Sequence, residues 1–361
     1  MSKNNFYLIS GPCSAESLEQ LDAVAREVRL AKHFYAMRAG VWKPRTSPGC
    51  FEGYGETALQ WLAEIKKKYN IKIMVEVASA EHTALCIKYG IDILWIGART
   101  TCSPFAVQEI ADSLKDTPDI PVWVKNPISP DLALWIGAID RLQHAGIKKV
   151  GAIHRGFRQY NFTPYRNAPM WEIMLELKQE KSDIPIICDP SHIAGERRYL
   201  KELCQTAINM ETDGLMIEVH PCPDQALSDN SQQLTPEEFF KTYSSLIFRN
   251  DYTISNKIEQ YRTVLDGLDN EILSQLSHRM KIVAEMGELK KRENISVLQF
   301  ERWKKVVDCY CKQCEKLNLN KEFVDKILSV IHTESIRLQN KIFEDEDVHL
   351  LNKTNEDSNF K

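Results

Sequence analysis

The stretch GLMIEVHPCPDQALSDN, residues 214–230, runs apolar up to Ile217, then places Glu218 and His220 where the run ends and Asp229 shortly after. A carboxylate set against a hydrophobic run is costly to bury unless something binds it. Two other segments carry groups that would bind the same thing: Cys13 in GPCSAES and His192 in CDPSH. Cys13, His192, Glu218 and Asp229 together offer the mixed sulfur, nitrogen and oxygen donors of a divalent transition-metal site, and such a set accepts manganese, iron, cobalt or zinc. His220 is read as a supporting group beside these donors. A second set is cationic: Arg38, Lys43 and Arg45 in RAGVWKPRTSP, Arg99 in GART, Lys125 in VKNP and Arg155 in HRG. Arginine forks match phosphate and carboxylate geometry, so this set suits phosphorylated or carboxylated small substrates. Cys309, Cys311 and Cys314 also resemble metal ligands, but they sit in a Lys/Glu-rich helical pattern with no matching His or Cys pair downstream, and are not read as a zinc site.

Such groups need a common frame. Up to about residue 245, eight short apolar runs appear, nearly all separated by enough chain for a helix: FYLIS, HFYAMRAGVW, IKIMVEVAS, ILWIGA, PVWVKNP, KVGAIHRG, IPIICDP and GLMIEVH. Alternating β and α units imply a parallel sheet, and eight in roughly 250 residues predict a (β/α)8 barrel, with an open doubly wound sheet as the alternative. In a barrel, polar residues just past the C-terminal strand ends converge on one site. Each run obeys that rule: Cys13 follows the first, Arg38 and Lys43 belong to the second, and Glu76 ends the third. Arg99 follows the fourth, Lys125 and Asn126 the fifth, His154 and Arg155 the sixth, Asp189 and His192 the seventh, and Glu218 the eighth.

The chain has 361 residues, and the barrel is expected over 1–248, followed by a linker over 249–257. From 258 to 343 there are almost no Gly or Pro residues, and Val264, Leu265, Leu268, Ile272, Leu276, Met280 and Val283 recur at helical spacing, which predicts an all-helical domain of three helices. The first should be near thirty residues long, and a helix of that length must lie against partners, so a homodimer through this domain is expected. Residues 344–361 form a polar, charged tail expected to be disordered. A net charge of -4 excludes general affinity for nucleic acid. No apolar run approaches the ~18 residues of a membrane span, and the N-terminus lacks a cleavage signal. The ten scattered cysteines are expected to be reduced thiols and the protein cytoplasmic.

The motifs GPCSAES, WKPRTSP, GART, VKNP, HRG, DPSHIAG and EVHPCPDQALSD resemble 3-deoxy-D-arabino-heptulosonate-7-phosphate (DAHP) synthases of the branch related to octulosonate-phosphate synthases, over residues 5 to 245. The resemblance implies condensation of phosphoenolpyruvate with erythrose 4-phosphate, the entry step to aromatic amino acids. It implies that Cys13, His192, Glu218 and Asp229 hold the metal. Arg99, Lys125 and Arg155 match phosphoenolpyruvate-binding positions, with Arg38, Lys43 and Asn126 beside them, and Arg45 and Thr46 match the aldose-phosphate clamp. KPRT in place of KANR favours the four-carbon aldose; an octulosonate- or sialate-type synthase is the alternative. The barrel starts near residue 1, so regulation is expected from elsewhere in the chain.

The segment YRTVLDGLDNEILSQLSHRMKIVAEMGELKKREN resembles the first helix of the all-helical chorismate mutases, with resemblance from about Ile258 to Asn340. It implies rearrangement of chorismate to prephenate, which requires positive charge at two carboxylates and donors at the ether oxygen. Arg262 and Arg279 match the carboxylate positions, Lys290 and Gln339 the ether-oxygen positions, and Arg302 and Ser335 further contacts. Gln299 and Trp303 stand where some members carry acids. Arg279 and Lys290, eleven residues apart, fall on nearly one face about 16 Å apart. Arg262 lies about 25 Å from Arg279 and is rotated by about 100°, so it should serve a partner subunit's site. The alternative is a helical domain that mainly binds a pathway product and regulates the barrel.

Overall fold

The computed structural model describes residues 6–44, 49–159, 164–248, 256–298, 304–306, 310, 313–314 and 316–357, with the side chains of 256–260 and 345–357 excluded. The chain divides into two compact units, Met1–Asp251 and Tyr252–Lys361. In the first, all eight apolar runs are strands: β1 (Tyr7–Gly11), β2 (Phe34–Ala39), β3 (Ile73–Val77), β4 (Ile93–Ile96), β5 (Val122–Lys125), β6 (Val150–His154), β7 (Ile186–Cys188) and β8 (Gly214–Glu218). They pair in parallel in chain order and β8 closes onto β1, so the sheet is a closed barrel and not an open doubly wound sheet.

The helices are α1 (Leu18–Val28), α2 (Glu56–Tyr69), α3 (Ala80–Lys88), α4 (Ala98–Thr101), α5 (Pro104–Ser113), α6 (Leu132–His144), α7 (Trp171–Glu180), α8 (Pro190–Ala194), α9 (Leu200–Asn209), α10 (Pro236–Ser244), α11 (Asn256–Arg292) and α12 (Lys321–Asp357). Helices cover the outer face of the sheet, so the strands are buried on both sides, which is why they read as continuous apolar runs without alternation. Ile9, Ala36, Met74, Trp95, Trp123, Ile187 and Met216 fill the barrel, while Leu8, Met37, Val75 and Leu94 pack outward with the helices. Trp123 is opposite Gly151, where a Cβ would stand 2.5 Å from the indole, so this glycine makes room for the ring.

Strand alternation then decides which way the functional groups point. Arg38 follows Ala36 by two residues, Glu76 follows Met74, Lys125 follows Trp123 and Glu218 follows Met216, so each inward column ends in a charged residue. His154 follows the inward-facing Ile153 and points outward. It is fully buried, with ring centroids 5.0 Å from Trp171 and 6.3 Å from Trp135, and burial holds its pKa down at about 3. It is a core residue.

In the second unit, α11 begins at Asn256, within the expected linker. Every described residue between 304 and 317 is helical, and α12 runs into the segment the sequence reads as tail. Arg279 meets Ser335, Gly287 meets Gln339, and Lys291 meets Ile342, so contacts advance together along both helices. The helices α11 and α12 therefore run parallel. Among the described residues, no helix is long and apolar enough to cross a membrane.

Candidate active site

Donor atoms of Cys13, Glu218 and Asp229 lie within 4.8 Å of one another at the C-terminal end of the barrel. Each is delivered by a different local device. Cys13 follows β1, with its backbone N–H donating to Gln233 Oε1 at 2.9 Å. Glu218 is the last residue of β8 and is wholly buried. Asp229 sits on the loop beyond β8 with φ of +45°, a conformation uncommon for a residue with a side chain, which aims its carboxylate back at Cys13. His192 is carried by the DPSH turn: Asp189 caps α8 by accepting from His192 N–H at 3.1 Å, and Pro190 occupies the first helical position.

His192 is the fourth expected donor, and its contacts say how it is used. Nδ1 lies 2.8 Å from Asp189 Oδ2, which assigns the ring proton to Nδ1. Burial lowers the His192 pKa in spite of Asp189 and Glu218, so the ring is neutral and Nε2 carries a lone pair. That lone pair faces Glu218 Oε1 at 3.8 Å. Burial works to raise the Glu218 pKa, and the Arg38 guanidinium 3.1 Å from Oε1 opposes it and favours the carboxylate. Two acceptors facing each other in a buried space suit a cation between them. Cys13 adds a thiol that burial and Glu218 push up to about 12, with Lys43 Nζ 3.0 Å from Sγ acting in the opposite direction. A bound metal would displace that proton. The donor set therefore fits a divalent ion.

Beside these donors opens a cavity of about 550 Å³, whose lining includes Lys43, Arg99, Lys125, Arg155, Arg158 and Arg166 as well as Glu76, His192 and Asp229. Four of the expected cations thus reach one space. Arg38 lies beneath it, 3.1 Å from Glu218 Oε1, with its guanidinium 5.0 Å from the centre of the Trp95 ring. Lys125 flanks the same ring at 5.7 Å and donates to Asp189 at 2.8 Å. Trp95 Nε1 donates to Glu76, and Gly97 leaves room for that carboxylate: a Cβ there would be 2.1 Å from Glu76 Oε1. Burial among Arg166 and Arg99 brings the Arg155 pKa down to about 10, with Asp189 opposing.

Asn126 has a task different from the substrate contact expected of it. It is fully buried, its amide donates to Pro127 O and Gly156 O, and its Oδ1 accepts from Arg155 N at 2.7 Å, so it supports the arginine loop. Arg45 and Thr46 lie outside the described residues. Sequence reasoning missed Arg158, Arg166 and Asn167, which stand on the long loop after β6, and Gln232 and Gln233 beyond Asp229. The arginines could have been found by following that loop past its first two residues; nothing marked the amides.

In the helical unit, Arg279 donates to Ser335 Oγ at 2.7 Å, and Lys290, almost buried, donates to Val297 O at 2.7 Å. Gln339 is also buried, and its Oε1 has no partner among the described residues. Arg279 and Ser335 thus meet across α11 and α12, and Gln339 lies against Gly287 of α11, while Lys290 is turned to the Val297 carbonyl. Arg262 stands exposed on the first turns of α11, away from them, and Arg302, Gln299 and Trp303 lie outside the described residues, as do Cys309 and Cys311.

The relatives agree with this division. Over 240 residues the chain is 31% identical to a Phospho-2-dehydro-3-deoxyheptonate aldolase of Thermotoga maritima, covering 65% of this chain and 67% of that one. A 2-dehydro-3-deoxyphosphooctonate aldolase of Fusobacterium nucleatum is 28% identical over 255 residues, covering 64% of this chain and 86% of its own. The crystal structure of the Thermotoga maritima DAHP synthase superposes with a TM-score of 0.59 at 28% identity, covering 67% of this chain and 68% of that one. Residues 261–340 match the model of chorismate mutase type II, and residues 2–250 that of the DAHP synthetase I family. The chain belongs to the DAHP synthetase I family and carries a chorismate mutase type II domain behind it.

Proposed function

We propose that the barrel condenses phosphoenolpyruvate with erythrose 4-phosphate in a metal-dependent reaction, with Cys13, His192, Glu218 and Asp229 as ligands. The observation that carries it is the clustering of Cys13, Glu218 and Asp229 donor atoms within 4.8 Å, with His192 Nε2 3.8 Å from Glu218 Oε1. A divalent ion bound there supplies polarisation and orientation for the aldehyde oxygen. Arg99, Lys125 and Arg155 hold the charges of phosphoenolpyruvate, while Lys43, Arg45 and Thr46 hold the aldose phosphate, so two anions that repel each other are kept within reach. The enol carbon attacks the aldehyde carbon, water adds at the adjacent carbon, and phosphate leaves with C–O cleavage. Lys43 Nζ, on the cavity wall and next to Cys13, is placed to give a proton to the new alkoxide. Phosphate release is measured with each aldose after removing and restoring metal. Full activity in the stripped protein would refute the metal reading, and preference for arabinose 5-phosphate the choice of aldose.

In the helical unit, Arg279 with Arg262 takes the chorismate carboxylates, Lys290 and Gln339 the ether oxygen, and Ser335 and Arg302 the remaining polar groups. No covalent step is needed; fixed positive charge and donors hold the reactive conformer. This site is built in a homodimer. Along α11, Val264, Leu265, Leu268 and Ile272 are each about half exposed or more in the single chain, an apolar strip that needs a cover. A monomer by sedimentation at micromolar concentration, still converting chorismate, would reject the dimer.

A further inference from the structure

We propose that Arg166, acting with Gln232, is a positioning residue that turns two donor carboxylates, Asp229 and Glu218, toward a divalent cation; the inference rests on the metal-dependent reading above. Arg166 Nη1 is 2.8 Å from Gln232 Oε1 and 3.1 Å from Asp229 Oδ1. Gln232, fully buried, passes the bond on: its Nε2 donates to Glu218 Oε2 at 2.7 Å. One oxygen of each carboxylate is therefore taken up from behind. The other two face the donor space, with Asp229 Oδ2 3.4 Å from Cys13 Sγ and Glu218 Oε1 3.8 Å from His192 Nε2 and 3.1 Å from Arg38 Nη2.

The backbone at Arg166 and Asn167 is held in place. Arg166 N–H donates to Ala194 O at 3.1 Å, and Asn167 N–H to Ile193 O at 3.2 Å. Asn167 also donates to His192 O at 2.7 Å and accepts from Arg155 at 2.9 Å, joining the cationic set to the turn that bears His192. Gly195, at φ of +71°, is required by this approach, since a Cβ there would lie 2.5 Å from Arg166 Cβ.

Two other roles for Arg166 predict different outcomes. As a bare positive charge beside a cation site, it would weaken metal binding, and its removal would tighten it. As a substrate ligand on the cavity wall, its loss would raise the KM for phosphoenolpyruvate and leave the metal alone. Positioning predicts weaker metal binding whether or not the charge is kept.

The test uses the full chain stripped of metal and titrated with Co²⁺ alone, following the thiolate-to-cobalt absorption band of Cys13 and competing with a chromophoric chelator. Arg166→Met, Arg166→Lys and Gln232→Leu are each expected to lower Co²⁺ affinity about 10- to 100-fold, the usual loss when a ligand's outer partner is removed, with the KM for phosphoenolpyruvate little changed. Near-ultraviolet circular dichroism checks the fold, and the lysine variant retains the charge on a half-exposed side chain. Co²⁺ affinity in Arg166→Met equal to or above wild type would overturn the inference, as would a raised KM with Co²⁺ affinity intact. Wild-type chain that fails to bind Co²⁺ would instead overturn the metal reading, and this inference with it.

Discussion

In the barrel, the charged groups around the cavity find partners within one unit: Arg38 with Glu218, Lys125 with Asp189, Arg166 with Asp229. In the helical unit, Arg279 leans on a neutral hydroxyl, Gln339 Oε1 has no partner among the described residues, and apolar side chains of α11 face solvent. The contrast follows from geometry. A ring of eight strands points eight ends at one place, so a single chain supplies anions, cations and the amides that orient them. Two parallel helices present one shared face, and in the proposed homodimer the remainder of the charge would come from the partner's helix. One activity should therefore be indifferent to dilution while the other depends on assembly.

The largest expected effect separates the two chemistries. Chelation should lower the condensation by about 10²- to 10³-fold, the several kcal/mol that a Lewis acid contributes, and leave chorismate turnover unchanged; parallel assays before and after dialysis against chelator read it. Loss of both activities would mean that the comparison is false. Arg279→Ala should reverse the pattern, lowering chorismate turnover by about 10²-fold with phosphate release intact, as expected when one electrostatic donor is removed. Smaller and conditional is Leu268→Asp with Ile272→Asp on the apolar strip: chorismate turnover per subunit should fall about 10-fold on dilution while condensation per subunit stays constant, with sedimentation following the assembly state. Smallest is Gly97→Ala, whose Cβ would collide with Glu76. An overpacked site costs about 1–3 kcal/mol, which lowers Tm by roughly 2–4 °C for each kcal/mol, measured by calorimetry.

Much of the barrel was legible because burial on both faces turns each strand into an unbroken apolar run, and because charges placed after such runs have few structural excuses. The donors Cys13, Glu218 and Asp229 could be read that way. What the strand-end rule does not encode is direction. It named His154 along with Arg155, although alternation sends His154 outward into an aromatic cluster. It offered Asn126 a substrate, although the backbone consumes its hydrogen bonds. Gln232 carries no sequence signal at all, since its importance lies in which two groups it joins. In the helices, the resemblance to chorismate mutases named Arg279, Lys290, Ser335 and Gln339, but only the parallel course of α11 and α12 sets Ser335 against Arg279 and Gln339 against Gly287.

Trp95 has one consequence that is optical. Its indole is 5.0 Å from the Arg38 cation and 5.7 Å from that of Lys125, and donates to Glu76, which with Lys125 lines the cavity. An indole's emission responds to the field across its ring, so an anion entering the cavity should shift that balance without any attached label. The difference in emission between the native chain and Trp95→Phe would then record, in milliseconds, when the cavity fills.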